Sequence, residues 1–216
     1  MDTADRSRLA AAAYVTIVAA VAGGLIALSH ELSSERIELN QRERLATRLQ
    51  EVLGQIGYDN DPVAALYTLS VAGPARTTIP ASVYVAARGG DPVAFVFAVT
   101  AARGYNGPID LLVGITADGR IAGVRVTSHR ETPGLGDAIE AGKSSWIDGF
   151  IGTRLGAPPL ANWRVTKDGG AFDAITGATV TPRAVVEAVR DALVYFRDHQ
   201  AELVALAKKE PDLADD

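Results

Sequence analysis

The feature that most constrains this chain is an uncharged run at residues 9–28, Leu-Ala-Ala-Ala-Ala-Tyr-Val-Thr-Ile-Val-Ala-Ala-Val-Ala-Gly-Gly-Leu-Ile-Ala-Leu, 20 residues without a break. A helix apolar on every side finds no home on the surface of a small domain. At 1.5 Å per residue it covers ~30 Å, the thickness of a bilayer's hydrocarbon core. Arg6 and Arg8 precede the run, His30, Glu31 and Glu35 follow it, and Arg36 is the first positive charge beyond. The positive-inside rule then places the N-terminus in the cytoplasm and the rest across the membrane. A cleaved signal peptide ending near Ala27-Leu28-Ser29 is the competing reading. It is disfavoured because the run exceeds a usual signal core of ~7–15 residues. The lipid bilayer is thus the first expected partner.

The remainder reads as three parts: a membrane-proximal helix and connection (31–80), a folded domain (81–210) and a frayed acidic tail (211–216), behind a stub and span at 1–30. Leu45, Leu49, Val52, Leu53 and Ile56 form one apolar stripe, which predicts a helix over 33–56 packed on the domain. Residues 57–80 hold three prolines and one short strand candidate near 66–71. Four strands are expected at 82–87, 93–101, 109–115 and 121–127, with Gly89-Gly90-Asp91 and Asp118-Gly119 as hairpin turns. Val124 and Val126 should face the core and Arg125 and Thr127 a wetter side. Short connections between strands indicate an antiparallel sheet and an α+β class, with no βαβ alternation. Short helices are expected at 138–141 and 145–151, a strand at 163–166, and a long helix over 182–208.

That last helix is opened by Asp173-Ala174-Ile175-Thr176-Gly177-Ala178-Thr179-Val180-Thr181-Pro182. Thr181 is expected as N-cap and Pro182 as first helical residue. A small, hydroxyl-bearing loop ending at free N–H groups and a positive helix end is a natural seat for phosphate.

Composition removes several function classes. A net charge of −5 without a basic block argues against nucleic acid, and zero cysteine excludes disulfides and thiolate-held metals within the chain. His30, His129 and His199 lie too far apart in sequence to suggest a metal set. No Gly-Lys-Ser/Thr follows a glycine loop, so a P-loop is excluded, and Gly134-Leu135-Gly136 lacks the third glycine of a dinucleotide fingerprint. Nothing resembles a Ser/His/Asp nucleophile system, and Glu131 has no second carboxylate placed for acid–base work. Trp146 and Trp163 are assigned to core packing and His129 to structural hydrogen bonding.

Asp-x-x-Thr-Gly-Ala-Thr resembles the motif on which a flavin transferase esterifies FMN, through its phosphate, to the last threonine, here Thr179. Glu131-Thr132-Pro133-Gly134-Leu135-Gly136 is a second signature of the same flavin-bearing proteins. With Gly104-Tyr105-Asn106-Gly107, Lys167-Asp168-Gly169-Gly170 and Thr181-Pro182-Arg183-Ala184-Val185-Val186 in this order, the chain resembles the G subunits of Rnf-type electron-transport complexes. C subunits of the sodium-pumping NADH:quinone reductase form the sister family and the alternative.

The resemblance implies an inner-membrane protein with a periplasmic FMN domain. FMN would be covalent on Thr179, with Thr176, Gly177 and Ala178 beside it. Thr132, Gly134 and Leu135 would line the ring pocket, Glu131 would belong to the cofactor site by orienting their loop, and Lys167 would face the phosphodiester or the reduced ring. Its implied work is to relay electrons between other subunits of a complex that couples ferredoxin and NAD to ion translocation. A membrane-tethered flavin sensor or assembly module is the rival class; only 1–8 would remain in the cytoplasm as an output, which argues for the carrier.

Overall fold

The computed structural model describes the backbone of residues 3–68, 77–78 and 82–208, and the side chains of 14–25, 39–67 and 83–208. The expected tail at 211–216 and the end of the 66–71 strand candidate lie outside these residues. The chain divides into two units, Met1–Arg44 and Leu45–Asp216.

The first unit is helical: α1 spans Thr3–Leu53 and continues into the second unit's residues. Among the described residues no helix is long and apolar enough to cross a membrane. The expected span at 9–28 runs onto 9–13 and 26–28, whose side chains lie outside the described set. Those described between them, including Tyr14, Ile17, Val21 and Leu25, are exposed.

The second unit is built on an antiparallel sheet in the order β1-β3-β4-β5-β6, with β2 also paired to β4. Its strands are β1 (Leu66–Thr68), β2 (Thr77–Thr78), β3 (Ser82–Arg88), β4 (Asp91–Ala101), β5 (Ile109–Thr116) and β6 (Ile121–Ser128). The four long strands stand where turn chemistry put them. Gly89 and Gly90 both have positive φ, +58° and +84°, which a two-residue hairpin matching the strand twist demands.

Strand alternation gives the sheet two apolar faces. Phe95, Phe97, Val99, Leu111, Val113, Val124 and Val126 look one way, onto the core shared with α2 (Val180–Ala207). Phe95 and Phe97 meet Phe196 and Tyr195 there, ring centroids 5.6 and 6.0 Å apart. Ala86, Ala94, Val96 and Leu112 look the other way, onto Leu49, Val52 and Leu53 at the end of α1. Gly114 and Gly123, paired across β5 and β6, make the shelf for this contact. A Cβ on Gly114 would stand 2.5 Å from Val52 Cγ1, and one on Gly123 would stand 2.5 Å from the Val52 carbonyl oxygen. The helix stops at Leu53, short of the expected 56, because Gly54 turns left-handed at φ +57°.

Residues 57–68 are better tied than the sequence suggests. Asn60 bonds the edge of β3 twice, to the Val85 carbonyl at 2.9 Å and from the Ala87 N–H at 2.8 Å.

Between β6 and α2 the chain has no long element, only 3₁₀ turns at Gly136–Ile139, Trp146–Phe150, Leu160–Asn162 and Thr166–Asp168. The strand expected at 163–166 is a single bridge, Val165 to Phe172, followed at once by the turn at Thr166–Asp168. Gly169, left-handed at φ +76°, bends the chain away before a ladder can form. Side chains hold this segment instead: Phe172 lies 4.7 Å from Phe150 and 4.9 Å from Trp163, ring to ring. Trp163 is fully buried, as core packing requires, whereas Trp146 is half-buried and donates from Nε1 to the Asp173 carbonyl at 2.8 Å.

Candidate functional site

Two loops meet at the start of α2. In the first, the Leu135 N–H donates to the Thr132 carbonyl at 3.1 Å, and Gly134 takes φ +77°, closing a tight bend at the Glu131–Gly136 stretch. In the second, the Ala178 N–H donates to the Ile175 carbonyl at 3.2 Å across a turn in which Gly177 has φ +81°. The loops touch so closely that a Cβ on Gly177 would come within 2.9 Å of Leu135 Cδ2.

A cavity of about 340 Å³ lies between them. Of the residues singled out by sequence, Glu131, Thr132, Leu135, Gly177, Ala178 and Thr179 line it. Gly134 and Thr176 do not; they are exposed members of the two bends. Lys167 is also outside the cavity wall; exposed on its 3₁₀ turn, it donates from Nζ to Thr179 Oγ1 at 2.9 Å. That turn is fastened to α2 by Asp168, whose two oxygens accept from Arg183 Nε and Nη2 at 2.5 and 2.6 Å. The Arg183 guanidinium holds the Asp168 carboxyl below the usual range.

The helix start differs from expectation. α2 begins at Val180, so Thr179 is the N-cap residue, with no side-chain capping bond, and Pro182 is the third helical residue. Proline is tolerated there because the first-turn N–H groups have no intrahelical partner. Thr181 is no cap: it is buried, and its hydroxyl donates to Glu131 Oε2. Glu131, itself buried, also accepts the Asn106 N–H at 3.0 Å. Asn106 Nδ2 then donates to Thr132 Oγ1 at 3.1 Å. One carboxylate therefore joins the loop before β5, the loop after β6 and the first turn of α2.

His129 is wired structurally. Its Nδ1 accepts the Glu131 N–H at 3.0 Å, which leaves the proton on Nε2, 2.8 Å from Glu140 Oε1. Lys143 bonds Asp137 at 2.8 Å and Glu140 at 2.9 Å, lowering both carboxyl pKa values. Sequence reasoning did not assign Tyr105, Gly136, Val180 and Thr181 to the cavity wall. The Gly-Tyr-Asn-Gly stretch carried a signal for the first of these; nothing local carried one for Thr181.

Residues 104–194 match the FMN-binding domain family. The G subunit of the ion-translocating oxidoreductase complex from Pseudomonas aeruginosa is 46% identical over 206 residues, covering 95% of this chain and 96% of that one. The chain belongs to the family of G subunits of ion-translocating oxidoreductase complexes. Its relative in Cereibacter sphaeroides is 46% identical over 84% of this chain and 80% of its own length. The corresponding figures for Vibrio cholerae are 43%, 88% and 90%. NqrC of Shewanella oneidensis shares the fold at TM-score 0.53 and 19% identity, covering 76% of this chain and 99% of that one.

The residues fit the FMN that this family's domain binds. Leu135, Val180 and Ala178, with Gly136 and Gly177, give a small-walled, largely apolar slot suited to a planar ring. A Cβ on Gly136 would press on Glu131 and Thr181 within 3.0 Å, so the approach of the loop to the start of α2 depends on its absence. At the rim the Thr179 hydroxyl meets the Lys167 ammonium and a helix N-terminus, the last two being donors that suit an anionic phosphate.

Proposed function

We propose that this chain is a membrane-anchored electron carrier bearing FMN joined through its phosphate to the Thr179 hydroxyl. It passes electrons among the other subunits of an Rnf-type complex that links ferredoxin and NAD to ion translocation. The observation that carries this reading is the 2.9 Å contact of Lys167 Nζ with Thr179 Oγ1, on a threonine that is itself part of the cavity wall.

FMN, when bound, takes and gives electrons singly or in pairs. The chain's own residues do the rest. Lys167 orients the acceptor hydroxyl and supplies positive charge where a phosphodiester forms. The free N–H groups at the start of α2 add ~0.3–1 kcal/mol for a partly exposed anion. Leu135, Val180 and Tyr105 offer apolar surface to a ring, and Glu131 fixes the loops around it. The G-type assignment is favoured over the C-type member of the sodium pump because the former matches at 46% identity and a solved example of the latter at 19%.

The anchor in this reading is the run at 9–28, supported by its flanking arginines and by the exposed apolar side chains from Tyr14 to Leu25. It sets the N-terminus in the cytoplasm and the FMN domain in the periplasm of the inner membrane, where a flavin transferase completes it.

Intact mass of the denatured protein tests the tether. The wild type gains one FMN less one water and Thr179→Ala gains nothing; a wild type without the adduct, in cells with active transferase, overturns the reading. The chain has no cysteine, so a single cysteine placed at exposed Glu202 tests the topology. A membrane-impermeant thiol reagent labels it from the periplasmic side, and protection there refutes the orientation.

A further inference from the structure

We propose that Glu131 sets the reduction potential of the flavin held in this cavity, its buried charge opposing electron uptake. The inference rests on the FMN reading above. Glu131 is 4% exposed and lines the same cavity as Thr179 and Leu135. Its oxygens accept from the Asn106 N–H and the Thr181 hydroxyl. Among the described residues it forms no ion pair, and the Lys143 ammonium is bonded to Asp137 and Glu140. Its direct partners are thus two neutral dipoles, the Lys167 ammonium being bonded to Thr179 at the rim.

The packing around it is tight: a Cβ on Gly104 would stand 2.8 Å from Glu131 Oε1, and one on Gly136 would stand 3.0 Å from Oε2. With the cavity filled by a ring, little room is left for screening water, so its field reaches the ring with less loss than that of a surface charge. Each electron that enters without a proton makes the flavin one unit more negative, and a fixed negative charge beside it disfavours that change. Glu131 is in this respect a potential-setting and positioning residue.

Glu131→Gln separates charge from geometry. The amide oxygen still accepts the Asn106 N–H, and the NH₂ donates to Thr181 Oγ1, because a hydroxyl both donates and accepts. Full-length flavinylated protein in detergent is titrated by spectroelectrochemistry beside Glu202→Gln, an exposed charge about 30 Å along α2 from Thr181. The midpoint of Glu131→Gln moves positive, and that of Glu202→Gln stays with the wild type. A fully loaded Glu131→Gln that titrates with the wild type overturns the inference. A second measurement needs no variant: the redox difference infrared spectrum of wild-type protein carrying isotope-labelled glutamate contains a glutamate carboxylate band. Its absence overturns the inference equally. A wild type without covalent flavin by mass fails the function proposed above, whereas loaded protein with an unmoved midpoint fails this inference alone.

Discussion

Replacing Thr181 with valine probes the join between fold and site most directly. The two side chains have nearly the same shape, both are β-branched, and position 181 is 1% exposed, so packing is preserved. What disappears is the hydroxyl that donates to Glu131 Oε2. Glu131 keeps its bond from Asn106 but holds a buried, charged oxygen that has lost its donor. Such a loss costs ~1–3 kcal/mol, and the charge argues for the middle of that range or above. With about 2 kcal/mol lost and ~2–4 °C per kcal/mol for a domain of this size, the melting point falls by about 4–8 °C. Both tryptophans of the chain, Trp146 and Trp163, lie in the second unit, so tryptophan fluorescence of the full-length protein in detergent reports that unit's unfolding. Thr127→Val is the matched control: position 127 is exposed on β6, and its cost stays within ~0.5 kcal/mol. A Thr181→Val shift below about 2 °C, the equivalent of ~0.5–1 kcal/mol, refutes the claim that Glu131 depends on this donor.

Three further outcomes follow from the geometry. Lys167→Met leaves stability unchanged but slows FMN attachment about fivefold, the rate equivalent of ~1 kcal/mol for an exposed charge acting on a phosphoester; time-resolved intact mass reads it, and an unchanged rate removes Lys167 from the site. Gly123→Ala drives a Cβ to 2.5 Å from the Val52 carbonyl and costs ~1–3 kcal/mol as overpacking. Gly142→Ala, which meets nothing within 4 Å, does not, and equal melting points for the two contradict the shelf. Asp137 and Glu140 titrate below their ordinary values because Lys143 bonds both. Their contribution is therefore full above the unfolded carboxylate pKa and lost as pH falls below ~4 through the folded values. Lys143→Met flattens that acid limb, and parallel melting-point profiles for variant and wild type between neutral and acid pH disprove the linkage.

The four long strands were legible because hairpin chemistry and two-residue alternation are local: Gly89-Gly90 and Asp118-Gly119 name their turns, and Val124 and Val126 their face. The meeting of the Glu131–Gly136 and Thr176–Thr179 stretches was legible only through family resemblance, since no periodicity places two irregular loops side by side. Thr181 shows why local rules then misled. Followed by proline at the head of an apolar stripe, it reads as a cap, yet its partner Glu131 is 50 positions away in sequence and captures the hydroxyl. Tyr105 and Val180 were missed for a similar reason, as their place in the wall depends on where three loops converge. The expected strand at 163–166 failed because β propensity needs a neighbour to pair with, and Phe172 offers one bridge only.

Thr179 is not at the tip of a free loop. The next residues are the first turn of a helix whose Val185, Val189, Ala192 and Leu193 are buried in the sheet's main core. Its other side is clamped to the Lys167 turn through Asp168 and Arg183. A load fixed at Thr179 is bolted to the chassis instead of hanging from a swinging arm. Its position is therefore that of α2 and the sheet together, and fraying of the attachment loop alone leaves it where the core puts it.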